Sequence, residues 1–388
     1  MKIRQIQAFE IELDKVAEPP HQGRRAPWVV DSEVANPMSR YPRFKAHRKL
    51  WLPPWGQVAC VVTAEDGTWG LGIGRYGAPV VTIINDHLGP LLLGEDCLSV
   101  ERLWDLLARA ASPYSAAGLA SYAISAMDLA LWDLKGKLLQ TPVYRLLGGP
   151  ARDSQPCYAT GNDTDWHLEM GFRATKLACP YGPADGLPGM ERNAELVAAT
   201  RELIGPTVDL MLDCWMAFDA EYTVRLAERL QPYRLRWIED CLIPEDLQSH
   251  FEVRRRIPWQ GYATGEHWYG THPFAFAAAK HLADVFQPDI QWVGGVTAGV
   301  KICHIAEAAG IEVIPHAGMN DPYGQHLCYA MPNIRWGEYF MGTAPGVPLE
   351  HTSRLPGTAV PRNGALVPSD APGFGLDVDL EWIRARVK

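Results

Sequence analysis

The stretch Leu210-Met211-Leu212-Asp213-Cys214-Trp215 (LMLDCW) places three large apolar residues directly before an aspartate. The apolar run predicts a buried strand, where an ionised carboxylate is costly unless another group compensates its charge. Similar apolar runs recur through the second half of the chain, where they alternate with amphipathic helical segments. Alternation of this kind is typical of a parallel α/β sheet built from βα units.

Eight candidate strands make up this half of the chain. They are predicted at 156–160, 174–178, 208–213, 235–239, 262–266, 285–289, 312–316 and 337–341. Helices are predicted between most of them, for example at 190–203, 219–231 and 297–309. Eight βα units favour a closed barrel over an open doubly wound sheet, and no GxGxxG motif follows the first strand.

The first part of the chain has a different pattern, which predicts an α+β domain. Residues 3–13 alternate as a strand, and 57–77 predicts two strands around a turn at Glu65-Asp66-Gly67. Helices are predicted at 79–93, 98–111 and 122–139. The tail is rich in Pro and Gly and has no clear βα unit. We therefore predict a capping domain at 1–146, a barrel at 147–345 and a segment at 346–388 that returns to the capping domain.

Composition excludes several classes of protein. The net charge of −9 argues against a nucleic-acid-binding surface, which would be basic. No window approaches the roughly 18 uninterrupted apolar residues of a transmembrane helix, and the N-terminus alternates instead of forming a signal peptide. The eight cysteines form no CxxC pair and are expected to be reduced thiols. We expect a cytoplasmic protein whose partners include neither nucleic acid nor a membrane.

Polar side chains end almost every predicted strand of the barrel. They are Lys176, Asp213, Glu239, Glu266, Asp289, His316 and Glu338. In a βα barrel these ends carry the chemistry, and the carboxylates at 213, 239 and 266 lie one βα unit apart, on adjacent strands. Three converging carboxylates repel one another unless a cation holds them, and oxygen ligands favour a hard ion. The pattern predicts a Mg²⁺ site formed by Asp213, Glu239 and Glu266.

The next two strand ends predict an acid–base pair. A carboxylate at Asp289 beside the imidazole of His316 would fix its tautomer and raise its basicity, which places a general base beside the metal. Each residue also has a structural interpretation, since a single carboxylate at a strand end usually caps a helix or forms a loop salt bridge. His267 either lines the pocket or packs beneath a loop. A metal-free glycoside hydrolase and a catalytically silent binding barrel are the alternatives from other classes.

The order of these residues resembles the enolase superfamily, in its mandelate racemase branch. The stretch AISAMDLALWDLKGK (123–137) fits the helix that leads into the barrel of that branch. Several other stretches resemble the rhamnonate dehydratases within it. They include VDSEVANPMSRY (30–41), GPADG (182–186), LMLDCWMA (210–217), RWIED (236–240), TGEH (264–267) and QPDIQWVGG (287–295).

The resemblance implies a (β/α)7β TIM-like barrel with an α+β capping domain, and a Mg²⁺-dependent dehydratase of aldonic acids, with L-rhamnonate or a related sugar acid as substrate. It implies that Asp213, Glu239 and Glu266 bind Mg²⁺. His316 would be the general base, with Asp289 as its partner, and Glu338 would hydrogen-bond the enediolate. The expected substrate-binding residues are His21, Arg48, Lys176, His267 and Glu338. The branch commonly forms homo-oligomers, and an epimerase or cycloisomerase of a related acid is the alternative within the superfamily.

Two stretches depart from the pattern of these relatives. Many of them carry a second lysine two residues after the first, whereas this chain has Lys176-Leu177-Ala178. Ala178 cannot act as a base, which argues against a two-base racemase and favours one-base chemistry at His316. The loop at 317–326 (AGMNDPYGQH) also matches the rhamnonate dehydratases poorly, so the exact substrate stays open.

Overall fold

The structure is a computed structural model that describes residues 1–13, 23–31, 33–45, 50–352 and 354–388. A three-stranded antiparallel sheet lies in the first part of the chain, and a nine-stranded, mainly parallel sheet lies in the second. The predicted substrate-binding residues His21 and Arg48 fall outside the described residues. None of the described helices combines the length and the apolar content needed to cross a membrane.

The strands and helices are as follows. The strands are β1 Ile3–Ile11, β2 Gln57–Ala64, β3 Trp69–Gly74, β4 Gln155–Thr160, β5 Ala174–Ala178, β6 Asp209–Asp213, β7 Ile238–Glu239, β8 Tyr262–Thr264, β9 Val285–Phe286, β10 Glu312–Val313, β11 Gly337–Phe340 and β12 Ala365–Leu366. The α-helices are α1 Trp28–Asp31, α2 Pro42–Lys45, α3 Gly77–Thr82, α4 Val100–Ala111, α5 Leu119–Leu138, α6 Val143–Leu146, α7 Thr164–Glu169, α8 Gly186–Ile204, α9 Ala220–Leu230, α10 Leu247–Arg256, α11 His272–Lys280, α12 Gly295–Ala309, α13 Pro322–Ala330 and α14 Leu380–Arg384.

The larger sheet forms the predicted barrel. Its eight parallel strands lie in the order β10-β9-β8-β7-β6-β5-β4-β11, and each corresponds to a predicted strand. The segment after β10 reaches β11 through a hydrogen bond from the Met319 N–H to the Glu338 C=O, 2.8 Å long. This bond links the two ends of the sheet, so the prediction of a closed TIM-like barrel is confirmed.

Several barrel strands are shorter than predicted. The strand predicted at 262–266 ends at Thr264, and β9 and β10 each contain two residues. Backbone hydrogen bonds continue past these strands without a regular ladder, from the Gln287 N–H to the Thr264 C=O (3.0 Å) and from the His316 N–H to the Pro288 C=O (3.2 Å). Glu266, Asp289 and His316 therefore lie on turns just beyond the strand ends.

The N-terminal sheet packs against one long helix. Strands β1, β2 and β3 are antiparallel, and the predicted turn at 65–67 joins β2 to β3. Helix α5 lies so close to β3 that a Cβ atom on Gly72 would stand 1.9 Å from the Ala126 C=O. Glycine at this position therefore permits the helix and the strand to come into direct backbone contact.

The helix predicted at 79–93 is interrupted. Helix α3 is followed by a π-helical turn at Ile83–Leu88, in which the Gly89 N–H donates to the Ile84 C=O at 2.7 Å, and then by a 3₁₀ turn at Pro90–Leu92. Pro90 has no N–H, so a regular α-helix would lose a hydrogen bond here. The predicted helices at 98–111 and 122–139 correspond to α4 and α5.

The C-terminal tail contacts both sheets. The Glu12 N–H donates to the Arg386 C=O (2.9 Å), and the Phe374 N–H donates to the Asp133 carboxylate on α5 (3.0 Å). Strand β12 pairs in antiparallel fashion with β4 of the barrel. These contacts agree with a tail that returns to the N-terminal part of the chain, while the exact domain boundaries remain a prediction.

Helix α5 is also bound to the barrel through a buried carboxylate. Asp128 accepts hydrogen bonds from the backbone N–H (3.0 Å) and the hydroxyl (2.6 Å) of Thr297, in the first turn of α12. Burial raises the pKa of Asp128 to about 7, although the bonds from Thr297 act in the opposite direction. Gly295 approaches this carboxylate closely and has φ of 81°, so a Cβ there would stand 2.2 Å from Asp128 Oδ2.

The substitution Gly295→Ala should strongly destabilise the fold. Its left-handed backbone costs roughly 1–2 kcal/mol for a residue with a Cβ, and the collision with Asp128 adds about 1–3 kcal/mol of overpacking. Gly310→Ala is the matched control, because Gly310 ends the same helix at φ of 70° with no atom within 4 Å of a built Cβ. Urea unfolding should show the larger loss for Gly295→Ala, and equal losses would contradict the close approach to Asp128.

Candidate active site

The polar residues predicted at the strand ends lie together at the carboxyl end of the barrel. Asp213 ends β6 and Glu239 ends β7, and the two are direct partners in the parallel ladder. Glu266, Asp289 and His316 follow the next three strands, and Glu338 lies in β11. Burial extends to charged groups, since Glu239, Glu266 and Glu338 are each at most 3% exposed.

The three predicted metal ligands repel one another. Burial raises the pKa of both Asp213 and Glu239 to about 7, and it also raises the pKa of Glu266. Negative charge on Glu266 contributes to the shift at Asp213, Asp213 contributes at Glu239, and Glu239 contributes at Glu266. Carboxylate oxygens are the ligand type that a hard divalent cation prefers, and a bound cation would remove this repulsion.

Lys176 brings a positive charge into the same buried layer. Its side chain is fully buried, and its ammonium forms ion pairs with Glu239 and with Glu338 Oε1, the latter at 2.8 Å. The second oxygen of Glu239 accepts a hydrogen bond from Trp237 Nε1 at 2.8 Å. Both oxygens of Glu239 are thus engaged by neighbouring side chains.

A second acidic group lies beside the predicted ligands. Asp240, Glu266 and His267 each offer a donor atom within 4.8 Å of the other two, whereas Asp213 and Glu239 do not belong to this group. His267 Nδ1 lies 3.3 Å from Asp240 Oδ2 and 3.2 Å from Glu266 Oε1. Only Glu266 is common to this group and the predicted one. Sequence reasoning missed Asp240, although RWIED contains it.

His316 and Asp289 form the predicted pair. His316 Nδ1 lies 2.8 Å from Asp289 Oδ2, and Asp289 Oδ1 accepts from the Gln291 N–H at 2.7 Å. When Nδ1 donates its hydrogen to Asp289, Nε2 is the basic nitrogen, and it lies 3.5 Å from Glu266 Oε2. Burial opposes protonation of His316, but Glu266 and Asp289 outweigh it and raise the pKa to about 10.

Glu338 is held as an anion among donors. Its Oε1 accepts from the Thr160 hydroxyl at 2.5 Å and from Lys176, and its Oε2 accepts from the Ala317 N–H at 3.0 Å. Burial alone would raise the pKa of Glu338, but the charges of Lys176 and His316 overcome it and lower the pKa to about 2. Glu338 is therefore oriented by three separate contacts.

The position of the second lysine in many relatives is filled by a buried methyl group. Ala178 donates its N–H to Asn162 Oδ1 (2.9 Å) and accepts at its C=O from Asn162 Nδ2 (3.2 Å). The backbone of Ala178 is thus fixed at the end of β5, and its side chain carries no acid–base group. The geometry agrees with the one-base interpretation of the sequence.

Two family models match the chain. The model described as the mandelate racemase / muconate lactonizing enzyme N-terminal domain matches residues 56–148. The model described as the enolase C-terminal domain-like region matches residues 164–382, which include the predicted site residues from Lys176 to Glu338. The two matches therefore cover most of the chain.

Relatives of known description extend over nearly the whole length. L-rhamnonate dehydratase of Saccharopolyspora erythraea is 38% identical over 385 residues, which cover 98% of this chain and 97% of that protein. The crystal structure of rhamnonate dehydratase from Gibberella zeae complexed with Mg has a TM-score of 0.91 at 32% identity, and covers 100% of this chain and 96% of that one. The 3,6-anhydro-D-galactonate cycloisomerase from Zobellia galactanivorans has a TM-score of 0.77 at 26% identity and full coverage of both chains.

Replacing Lys176 with methionine should destabilise the protein markedly. The substitution leaves Glu239 and Glu338 buried without their cationic partner, and loss of one member of a buried pair costs about 3–5 kcal/mol. Lys301→Met is the control, because Lys301 pairs with Glu101 at the surface, where a pair contributes about 0–1 kcal/mol. Urea unfolding at neutral pH measures both variants, and equal stabilities would be inconsistent with a buried triad.

Proposed function

Because the chain belongs to the mandelate racemase / muconate lactonizing enzyme family of the enolase superfamily, we propose that it is a magnesium-dependent dehydratase of aldonic acids. L-rhamnonate or a closely related sugar acid is the proposed substrate, as the names of the Saccharopolyspora and Gibberella relatives suggest. The observation that carries the proposal is the hydrogen-bonded pair of His316 and Asp289 beside the buried carboxylate of Glu266.

Asp213, Glu239 and Glu266 are the residues that would hold Mg²⁺. Their oxygens are of the type that Mg²⁺ prefers, and their mutual repulsion is a reason for a cation at this position. The name of the Mg complex from Gibberella zeae supports the same metal. When bound, the ion would act as a Lewis acid that offsets the negative charge developing on the substrate carboxylate.

His316 would remove the C2 proton of the aldonate. Asp289 fixes the tautomer with Nε2 as the basic atom and stabilises the imidazolium that results. Lys176 would meet the negative charge that develops on the substrate, with its ammonium as the donor. Glu338, which is held as an anion, would orient that ammonium. The direct hydrogen bond from Glu338 to the enediolate that the resemblance implies would require a protonated Glu338. His267 and the predicted residues His21 and Arg48 would bind the substrate.

One base is sufficient for the elimination. After proton removal the electron pair expels the C3 hydroxyl, and the His316 imidazolium returns the proton to it, so that water leaves from the same face. The enol that remains tautomerises to a 2-keto-3-deoxy acid. An epimerase would need a second acid–base group on the opposite face, and Ala178 occupies the position where many relatives carry a lysine.

The alternatives differ in their products. Membership of the family argues against the alternative of a metal-free glycoside hydrolase. Cycloisomerisation stays the alternative reaction within the superfamily, as the name of the Zobellia structure illustrates. Loss of water yields a 2-keto acid that reacts with semicarbazide, and isomerisation need not. Screening a set of sugar acids with this assay identifies both the reaction and the substrate. A homo-oligomeric state and a cytoplasmic location remain predictions.

Substitution of His316 by asparagine should abolish turnover of every substrate that the wild-type protein accepts. Loss of a positioned general base removes about 10²–10⁴-fold or more in rate, while the carboxylates stay in place, so Mg²⁺ affinity should be retained in calorimetric titration. His281→Asn is the control, since His281 is exposed and ends α11. Turnover retained by His316→Asn would remove this residue from the role of base.

Removal of the metal should stop activity reversibly. Chelation by EDTA should eliminate semicarbazide-reactive product, and addition of excess Mg²⁺ should restore it, because the carboxylates regain the cation that offsets their charge. Zn²⁺ should restore less activity, since all three proposed ligands are hard oxygen donors. Full activity after complete chelation, verified by elemental analysis, would rule out the metal-dependent reaction.

A further inference from the structure

Trp292 lies against both histidines of the site. It follows Asp289 by three residues and is 7% exposed. Its ring centroid lies 4.9 Å from that of His316 and 5.4 Å from that of His267, with interplanar angles of 45° and 46°. These two histidines contact the two different oxygens of Glu266. One indole therefore packs across both imidazoles that flank this carboxylate.

The backbone of Trp292 is fixed from two sides. Its N–H donates to the Asp289 C=O at 3.0 Å, within the turn that carries the proposed partner of His316. Its C=O accepts a 2.5 Å hydrogen bond from the Ser121 hydroxyl of α5. The N–H of Gly294, two residues after Trp292, donates to the Ser125 hydroxyl of the same helix at 2.8 Å. Helix α5 thus fixes where the indole stands.

The indole ring has further contacts with the N-terminal part of the chain. The guanidinium carbon of Arg75, directly after β3, lies 5.4 Å from the Trp292 ring centroid, and the Tyr122 ring of α5 lies 5.9 Å away. The indole N–H is buried and has no hydrogen-bond partner among the described residues. Trp292 thus acts through the faces and edges of its ring and not through a hydrogen bond of its side chain.

Ring packing supplies a constraint that the hydrogen bond of His316 lacks. The bond to Asp289 fixes Nδ1, yet the imidazole can still tilt about that contact and move Nε2 away from the substrate. A rigid aromatic ring with its centroid 4.9 Å from that of His316 limits this tilt. A misplacement of about 1 Å in a catalytic group can cost about 10²-fold in rate. The indole face also attracts the imidazolium that forms after proton transfer, within the roughly 6 Å range of such contacts.

We infer that Trp292 is a positioning residue that holds the imidazoles of His316 and His267 in their reactive orientation about Glu266, under the control of helix α5. The inference rests on the proposed function in one respect, namely that His316 is the base. The placement of both rings by Trp292 is independent of the identity of the substrate.

Trp268 provides a matched control for substitution. It is also a buried tryptophan, 3% exposed, and its indole N–H likewise has no hydrogen-bond partner in the described part of the chain. Its ring packs on His250, Phe274 and Phe286, and the described ring contacts of Trp268 include neither His316 nor His267. Leucine at either position removes a comparable aromatic ring from the core, so both variants should lose similar stability.

Kinetics should separate the two positions. Trp292→Leu should lower kcat by about 10²-fold, with any rise in KM smaller than the fall in kcat and Mg²⁺ affinity changed by less than about threefold, because the base is displaced while the proposed metal ligands remain. Trp292→Phe keeps an aromatic ring at this position and should lower kcat by about three- to tenfold. It is the variant to use if Trp292→Leu does not fold. Trp268→Leu should leave kcat within about threefold of the wild type.

A spectroscopic measurement tests the placement without any turnover. Histidine labelled with ¹³C at Cε1 gives one signal for each ring, and the signals of His316 and His267 are assigned through His316→Asn and His267→Asn. In the magnesium-loaded protein, Trp292→Leu should shift both signals through loss of the indole ring current. Trp268→Leu should shift the signal of His250 and leave these two unchanged.

The outcomes distinguish this inference from the proposed function. If the wild type dehydrates no sugar acid, the proposed function fails, and the histidine signals still decide whether Trp292 places the two rings. If the wild type is active, a kcat for Trp292→Leu equal to that of Trp268→Leu, or a loss confined to KM, overturns the positioning role. Unchanged signals of His316 and His267 in both Trp292 variants overturn it as well.

Discussion

Buried negative charge at the carboxyl end of the barrel is the constraint on which the site depends. Asp213, Glu239 and Glu266 stand at the ends of adjacent strands, and each raises the pKa of another. Removing a charge from water costs several kcal/mol even after relaxation. Lys176 offsets part of this charge through Glu239 and Glu338. No lysine in the described part of the chain pairs with Glu266, whose two oxygens lie beside His267 and His316. The repulsion that remains among the carboxylates supports the proposal that they bind a further cation.

The N-terminal part of the chain contributes to the site through a helix that is itself almost entirely buried. Helix α5 lies between strand β3 and helix α12, and it places hydroxyl and carboxylate groups against the turn that carries Asp289. Ser121 binds the Trp292 C=O, Ser125 binds the Gly294 N–H, and Asp128 binds Thr297. The capping domain is thus part of the framework that fixes the acid–base pair, in addition to any cover it provides for the substrate.

Sequence patterns predicted those features that depend on local periodicity. Most barrel strands are short apolar runs ended by a polar residue. The βα spacing places successive strand ends at one rim, which predicts Asp213, Glu239 and His316 together. Contacts between distant residues were beyond this reasoning. Nothing in the alternation of β5 predicts that the Lys176 ammonium reaches both Glu239 and Glu338, because that distance is set by barrel closure.

Asp240 and Trp292 illustrate why the remaining site residues were missed. The period of two along a strand turns Asp240 to the face opposite Glu239, where a structural role would be expected. In the structure, Asp240 follows the end of β7 with φ of 45°, so the period of the strand does not extend to it. His267 Nδ1 lies close to both Asp240 and Glu266, at 3.3 and 3.2 Å. In the sequence, Trp292 looks like any other buried aromatic residue. Only the path of the turn after β9 brings it against His316.

The way each histidine is bound decides which of the two can act as the base. His267 directs a single nitrogen, Nδ1, at two carboxylates, Asp240 and Glu266, so its proton is shared between two anions. Burial opposes that proton, but the two carboxylates outweigh it and raise the pKa of His267 to about 9. His316 uses Nδ1 for Asp289 and keeps Nε2 for the site. A base needs a nitrogen of its own that faces the substrate, and this criterion supports the proposal that His316, and not His267, acts as the base.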